Sequence, residues 1–348
     1  MVIKDAVSRA ISRLADRHDL AADESEEAFA QVMRGEASPV QMSALLMGLR
    51  AKGESAAEVV GAVRALRGAM VRMPVPDGEP AVDTCGTGGG VVTTFNISTA
   101  AAFVAAGAGV RVAKHGNRSF TSQCGSADLL EALGVRVPQS ADHAARLLDR
   151  CGMTFLFAPL FHPAMRHVGP IRRELGVGTI MNMLGPLANP AGVRRQVVGV
   201  ADAGRAQLIA DALADLDCDW ALVVHARVGM DEIAPAGPTD MWEVRPGEVK
   251  RWTLEPDTLE MPEGWMESLA GGTPAENAVI VRKILAAEDQ GPRRTAVLLN
   301  AAAALVVAGA AKDWEDAVVQ ATDSVEGGAG MMVLEELVEG SRALAAES

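Results

Sequence analysis

From residue 81 onward, short apolar runs alternate with helical patterns, and this rhythm narrows the fold more than any other feature of the chain. Ala81-Val82-Asp83-Thr84, Val110-Arg111-Val112-Ala113, Thr154-Phe155-Leu156-Phe157 and Ala221-Leu222-Val223-Val224 each read as a strand. Residues 100–106 and 126–133 carry helical spacing between them. Strands that alternate with helices imply an α/β domain around a central, largely parallel sheet. Upstream the pattern is helical only. Ser38-Pro39-Val40-Gln41 is a capping box with proline at the first helical position. The helix it opens carries Met42, Leu45, Leu46 and Leu49 and stops at Gly53. Ser55-Ala56-Ala57-Glu58 opens a second helix, with Val59, Val60, Val63 and Leu66 on one side. Met73-Pro74-Val75-Pro76 then ends the helical piece. The expected organisation is a small all-helical N-terminal domain over 1–73 and a large α/β domain over 77–348.

Composition excludes several classes. Hydrophobic residues make up 49 % and charged residues 22 %, the balance of a globular chain and not of a disordered one. Tyrosine is absent and aromatics are few, so Ala, Val, Leu and Met must fill the core. The net charge of -13, with no long Lys/Arg run, argues against nucleic acid or an anionic membrane as partner. A site for a polyanion must therefore be built locally. Cys85, Cys124, Cys151 and Cys218 form no C-x-x-C pair and read as reduced thiols in a cytoplasmic protein. The first twenty residues alternate charges around no apolar core, which is not the pattern of a signal peptide. The apolar stretch 296–311 contains Asn300 and is shorter than the roughly 20 residues of a membrane span, so it reads as a buried helix. The Met-rich end (Met331, Met332, Leu334, Leu337, Val338) reads as helix core.

Polar and glycine-rich constellations follow the strands. Gly86-Thr87-Gly88-Gly89-Gly90 comes directly after one, and Thr94, Asn96, Ser98 and Thr99 stand directly before a helix. Glycines let backbone N–H groups approach an anion, and a helix start adds unpaired N–H groups and the positive end of its dipole. The spacing fits neither a P-loop nor the dinucleotide fingerprint, and a plain turn with an N-cap explains it equally well. Lys114-His115-Gly116-Asn117-Arg118-Ser119 ends the next strand and runs on to Ser126, gathering two cations with small polar donors. Arg172 lies among Arg166, Arg173 and Glu174, where an average arginine is a solvated helix residue. The Asp231-Glu232 pair would by default be surface charge.

Taken together with the run Gly176 to Pro190, these residues resemble the anthranilate phosphoribosyltransferases over nearly the whole chain. The Lys-His-Gly-Asn-Arg-Ser run is the most specific part. The resemblance implies a nucleoside phosphorylase/phosphoribosyltransferase-like fold in which a segment around 163–185 joins the N-terminal helices. It implies transfer of the phosphoribosyl group of 5-phosphoribosyl 1-pyrophosphate to anthranilate, in tryptophan biosynthesis. Phosphoribosyl pyrophosphate would meet Gly86, Gly89, Gly90, Thr94, Asn96, Ile97, Ser98, Thr99, Lys114, Asn117, Ser119, Ser122 and Ser126. Anthranilate would meet Gly86, Asn117, His162, Arg172 and Pro186, with His115, Asn117 and Arg172 as the catalytic set. Mg²⁺ would sit on Ser98, Asp231 and Glu232, whose hard oxygens suit it. The family is usually a homodimer, and the N-terminal helices look too few to bury their apolar faces alone.

Two other readings stand beside this one: a pyrimidine nucleoside phosphorylase-like enzyme, and a non-catalytic relative that binds nucleic acid. The chain also departs from the family's pattern. Gly90 replaces a usual acidic residue, Gly178 a usual larger or charged one, and His225-Ala226 a usual histidine-glycine. At Gly90 a charge is lost and the backbone is expected to loosen.

Overall fold

Four helices open the chain: α1 (Ala6–Ala15), α2 (Ala22–Met33), α3 (Pro39–Lys52) and α4 (Ala56–Gly68). The capping boxes act as the sequence indicates. Ser38 Oγ accepts from the Gln41 N–H and Ser55 Oγ from the Glu58 N–H, satisfying helix-start donors. The structure, a computed structural model, describes residues 5–75, 80–90, 92–119, 123–256 and 265–347.

The α/β part follows as β1 (Val82–Gly86), α5 (Ile97–Gly107), β2 (Val112–Gly116), α6 (Ser126–Leu133), α7 (Ala141–Cys151) and β3 (Met153–Phe157). Next come α8 (Ala158–Phe161), α9 (Met165–Leu175), α10 (Met181–Leu187), β4 (Arg195–Gly199), α11 (Ala203–Ala214) and β5 (Trp220–Ala226). The chain closes with β6 (Thr239–Arg245), β7 (Glu248–Leu254), α12 (Trp265–Ser268), α13 (Pro274–Leu285), α14 (Pro292–Ala308), α15 (Trp314–Glu326) and α16 (Ala329–Ala346). Among the described residues the sheet runs β3-β2-β1-β4-β5-β6-β7, its first five strands parallel and β6 and β7 antiparallel. The strand expected at 110–113 begins at Val112 and reaches Gly116, so Lys114 and His115 are strand residues.

One sheet face packs on α5, α6 and α13 to α16 in a large alanine- and leucine-rich core. The other face, through Val198, Val223 and Trp242, shares a second core with α1 to α4 and α9 to α11. The N-terminal helices are therefore covered by helices of the same chain. Strand order reverses between β1 and β4, where Gly86 pairs with Gly199. In open α/β sheets the crevice beyond the strand ends at such a switch point is where ligands bind.

Candidate active site

The glycine loop leaves β1 at this switch point. Gly88 and Gly89 have φ of +66° and +80°, which only glycine adopts freely. The Thr87 N–H donates to the Gly199 carbonyl at 2.8 Å, and Thr87 Oγ1 accepts from Ala201 at 3.3 Å. At Gly86 a Cβ would stand 2.6 Å from Asp231 Oδ2. Gly90 is crowded, not loose: a Cβ there would stand 2.8 Å from the Gly229 carbonyl oxygen, so an acidic side chain needs the 229 backbone to move.

Both carboxylates of the 231–232 pair lie on donors of this region. Asp231 Oδ2 accepts from the Gly88 N–H at 2.8 Å, and Glu232 Oε1 from the Ser98 N–H, in the first turn of α5, at 3.1 Å. Burial, then the Asp231 charge, push the Glu232 carboxyl up to about 8. Burial raises Asp231 as well. Two crowded carboxylates and the Ser98 hydroxyl form a hard-oxygen set that fits a divalent cation. Among the described residues no group of three acidic, imidazole or thiol side chains forms a metal cluster.

The two cations of the Lys114–Ser119 run part ways. Lys114, 2 % exposed, donates to the Thr84 carbonyl and lies 3.4 Å from Ser98 Oγ, beneath the loop. Arg118 is engaged within the protein. Its guanidinium bonds Asp128 at 2.8 Å and Glu131 at 2.7 Å on α6, so it closes its own loop. Asp128 also accepts from the N–H groups of Ser119 and Gly125, and Ser126 Oγ donates to the Asn117 carbonyl. Ser122 lies outside the described residues. Thr94 and Asn96 are partly exposed on the approach to α5, and Thr99 is buried behind them. Ile97 departs from the expected set: it is a core residue whose N–H is taken by the Phe95 carbonyl at 2.7 Å.

His115, Asn117, His162 and Arg172 line one cavity of 810 Å³ between β2, α8, α9 and α10. Pro186 is buried behind it, and the neighbouring Gly185 lines the wall instead. The His115 ring meets the Gly185 carbonyl through Nδ1 at 3.1 Å. A carbonyl only accepts, so Nδ1 carries the proton and Nε2, which has no partner among the described residues, keeps a lone pair. Burial, with His162 5.0 Å away, lowers His115 to about 3; burial lowers His162 to about 4. Arg172 is half-buried, is lowered by burial, and has no carboxylate partner among the described residues. A second cavity of 340 Å³ lies under Gly88 to Gly90, and Asn182 lines both.

Two family models match the chain: "Glycosyl transferase family, helical bundle domain" over residues 8–70 and "Glycosyl transferase family, a/b domain" over 78–331. The chain is 49 % identical over 93 % of its length to the anthranilate phosphoribosyltransferase of Roseiflexus sp., covering 95 % of that protein. The chain belongs to the anthranilate phosphoribosyltransferase family. The family's crystal structure from Thermus thermophilus superposes with a TM-score of 0.89 at 39 % identity, covering 97 % of this chain and 100 % of that one. The anthranilate phosphoribosyltransferase of Saccharomyces cerevisiae, solved in complex with phosphoribosyl pyrophosphate and Mg, superposes at 0.88 with 27 % identity, covering 97 % and 98 %.

In this member of the anthranilate phosphoribosyltransferases the loops are braced by buried polar groups outside the expected site set. Asp83, fully buried in β1, accepts from the His115 N–H at 3.1 Å and from Asn189 Nδ2 at 2.7 Å. Asn189 Nδ2 also donates to the Ala113 carbonyl at 2.8 Å. Asn300 on α14 accepts from the Ile233 N–H at 3.0 Å and donates to the Ile233 carbonyl at 2.9 Å, fixing the backbone next to Glu232. The available signal was polarity out of place: a carboxylate inside a strand and an amide inside an apolar helix.

Proposed function

We propose that the chain's two adjoining cavities divide the family reaction between them: transfer of the phosphoribosyl group of 5-phosphoribosyl 1-pyrophosphate to the amine of anthranilate, releasing pyrophosphate, in tryptophan biosynthesis. The observation that carries this reading is Arg172, a half-buried guanidinium without a carboxylate partner among the described residues, in the same cavity as the lone pair of His115. A planar aminobenzoate offers a carboxylate to the first and an amine N–H to the second.

Anthranilate's amine is neutral near pH 7 and needs no strong base. The N–C1 bond forms, the C1–O bond breaks with its electron pair leaving on pyrophosphate, and the proton lost by the amine passes to the released pyrophosphate or to solvent. The barrier lies in the departing bond, so positioning and stabilisation of the leaving group dominate. Gly86, Gly89, Gly90, Thr94, Asn96, Ser98, Lys114, Ser119 and Ser126 supply backbone and side-chain donors for the phosphates. His115 and Asn117 orient the amine, and His162 walls the ring. Ser98, Asp231 and Glu232 would hold Mg²⁺, which supplies charge neutralisation at the pyrophosphate. The crowded carboxylates and the Ser98 hydroxyl support that placement. A cytoplasmic homodimer goes with this reading: no disulfide joins any of the four cysteines among the described residues, and α3 carries an exposed apolar stripe.

The test is the fluorescence of phosphoribosyl anthranilate formed from the two substrates, with and without Mg²⁺. Product in the presence of Mg²⁺ is expected. Arg172→Ala should raise KM for anthranilate by roughly tenfold or more, the worth of one charge-assisted contact, and leave KM for phosphoribosyl pyrophosphate nearly unchanged. Equal movement of both constants would remove Arg172 from the acceptor site.

A further inference from the structure

The segment before α13 backs the phosphate loop. The Phe95 N–H donates to the Leu269 carbonyl at 2.9 Å, and a Cβ on Gly271 would stand 2.8 Å from Phe95 Cα. Thr273 caps α13, and in its first turns stands Asn277, 2 % exposed. Asn277 Oδ1 accepts from the Gly272 N–H at 2.8 Å, and its Nδ2 donates to Asn96 Oδ1 at 3.0 Å. Asn96 Nδ2 in turn donates to the Cys124 carbonyl at 3.1 Å, and the Cys124 thiol donates to Asn96 Oδ1 at 3.3 Å.

The direction of this relay is fixed at both ends. The Gly272 N–H can only donate, so Asn277 must face it with oxygen and turn its amide nitrogen to Asn96. Asn96 must answer with oxygen. At the far end the Cys124 carbonyl can only accept, so it takes an N–H of Asn96. The two backbone groups demand the same orientation. An amide nitrogen has two N–H groups, and the second one of Asn96 finds no partner among the described residues. Asn96 is the residue before α5, yet its side chain accepts no capping bond. Orientation, not helix capping, is what its hydrogen bonds enforce.

We propose that Asn277 is a positioning residue for phosphoribosyl pyrophosphate: it fixes the polarity of Asn96 so that an N–H, and not a carbonyl oxygen, faces a substrate phosphate. This rests on the reading of Asn96 as a phosphate contact. Phosphate oxygens are acceptors at neutral pH, so a flipped Asn96 would replace an attraction by a repulsion.

Asn277→Asp tests the relay with a nearly isosteric group. The ionised carboxylate still accepts from Gly272 but has nothing to donate, so it repels Asn96 Oδ1 and favours the flipped amide. The protonated acid can donate its O–H and restores the native orientation; burial raises a carboxyl's pKa and brings both forms into the assay range. The groups around it do not titrate there. Burial pushes the Cys124 thiol up to about 11, the Thr273 N–H and hydroxyl hold Glu276 below the usual range, and Asp128 is held low, against its burial, by the Gly125 and Ser119 N–H groups. The ratio of variant to native KM for phosphoribosyl pyrophosphate should be roughly tenfold or more at about pH 9 and fall towards one at about pH 6. KM for anthranilate should stay at the native value throughout. Asn277→Ala lacks the donor at every pH and should show a raised, pH-independent ratio. It also serves if the aspartate variant does not fold, since the same split between the two constants is required of it. A flat ratio for Asn277→Asp, or equal effects on both substrates, overturns the proposal. Asn96→Ala separates the two layers. If it leaves KM for phosphoribosyl pyrophosphate unchanged, the reading of Asn96 fails; if it raises it while the Asn277 variants do not, the relay alone fails.

Discussion

Two neutral imidazoles 5.0 Å apart set how the acceptor cavity responds to acid, apart from the Glu232 carboxyl of the cation set, which burial raises to about 8. With His115 lowered to about 3 and His162 to about 4, neither ring changes charge in the folded protein between about pH 5 and about pH 9. The rate profile should therefore show no histidine inflection in that window. Stability should behave differently. Unfolded histidines take up protons near pH 6.5, roughly, while these two remain neutral in the fold. Their contribution is complete above that value and is lost as pH falls below it. Urea midpoints of the native protein should thus drop between about pH 7 and about pH 5, and drop less for His162→Gln. A rate inflection near pH 6.5, roughly the free imidazole value, that disappears in His162→Gln would show that this ring titrates in the site after all. At this scale the sequence shows which residue types gather but not their ionisation. His115 and Arg118 stand three apart in one loop motif, yet burial isolates the first and Asp128 and Glu131 neutralise the second.

At the scale of elements, α2 and α4 cross at Gly61. A Cβ there would stand 2.2 Å from the Ala22 carbonyl oxygen and 2.6 Å from Ser25 Cβ. Alanine gains about 1 kcal/mol of helix propensity over glycine, but overpacking costs about 1–3 kcal/mol, and a backbone carbonyl cannot swing aside. Gly61→Ala should destabilise on balance, by up to about 2 kcal/mol in urea unfolding. An unchanged or higher midpoint would mean that the helices separate at little cost. The same elements show what a sequence can reveal. Ser38 and Ser55 announce α3 and α4 because capping is local chemistry, complete within four residues. The central strands are recognisable because burial on both faces makes them continuous apolar runs. The β6–β7 hairpin escaped notice: Glu243, Glu248, Lys250 and Arg251 interrupt its apolar residues at the sheet edge. The C-terminal half of β2 was hidden by Lys114 and His115. Their polar groups are tolerated in a buried strand because Thr84 and Gly185 accept from them, partners 30 and 70 residues away in sequence.

For the whole molecule the open question is what covers the helical end. The argument that α1 to α4 are too few to bury their apolar faces does not hold, because α9 to α11 and the sheet share their core. A narrower argument replaces it. On α3, Val40, Ala44, Met47 and Ala51 are exposed, Val40 by 78 %. Their spacing of four, three and four residues draws a single stripe along the helix, the seam along which two helices pack. In the proposed dimer this stripe would meet the same stripe of a second copy across a two-fold axis, a closed and self-complementary contact. The cavity holding His115 and Arg172 is lined within one chain, so assembly and chemistry should separate. Light scattering should therefore give twice 36.3 kDa for the native protein at micromolar concentration. Val40→Glu combined with Met47→Glu places like charges against each other across the axis and should yield a monomer that keeps its helical content and both KM values. A native monomer would refute the dimer outright. A variant that stays dimeric would move the interface off α3, and a folded monomer without activity would show that the partner completes the site after all.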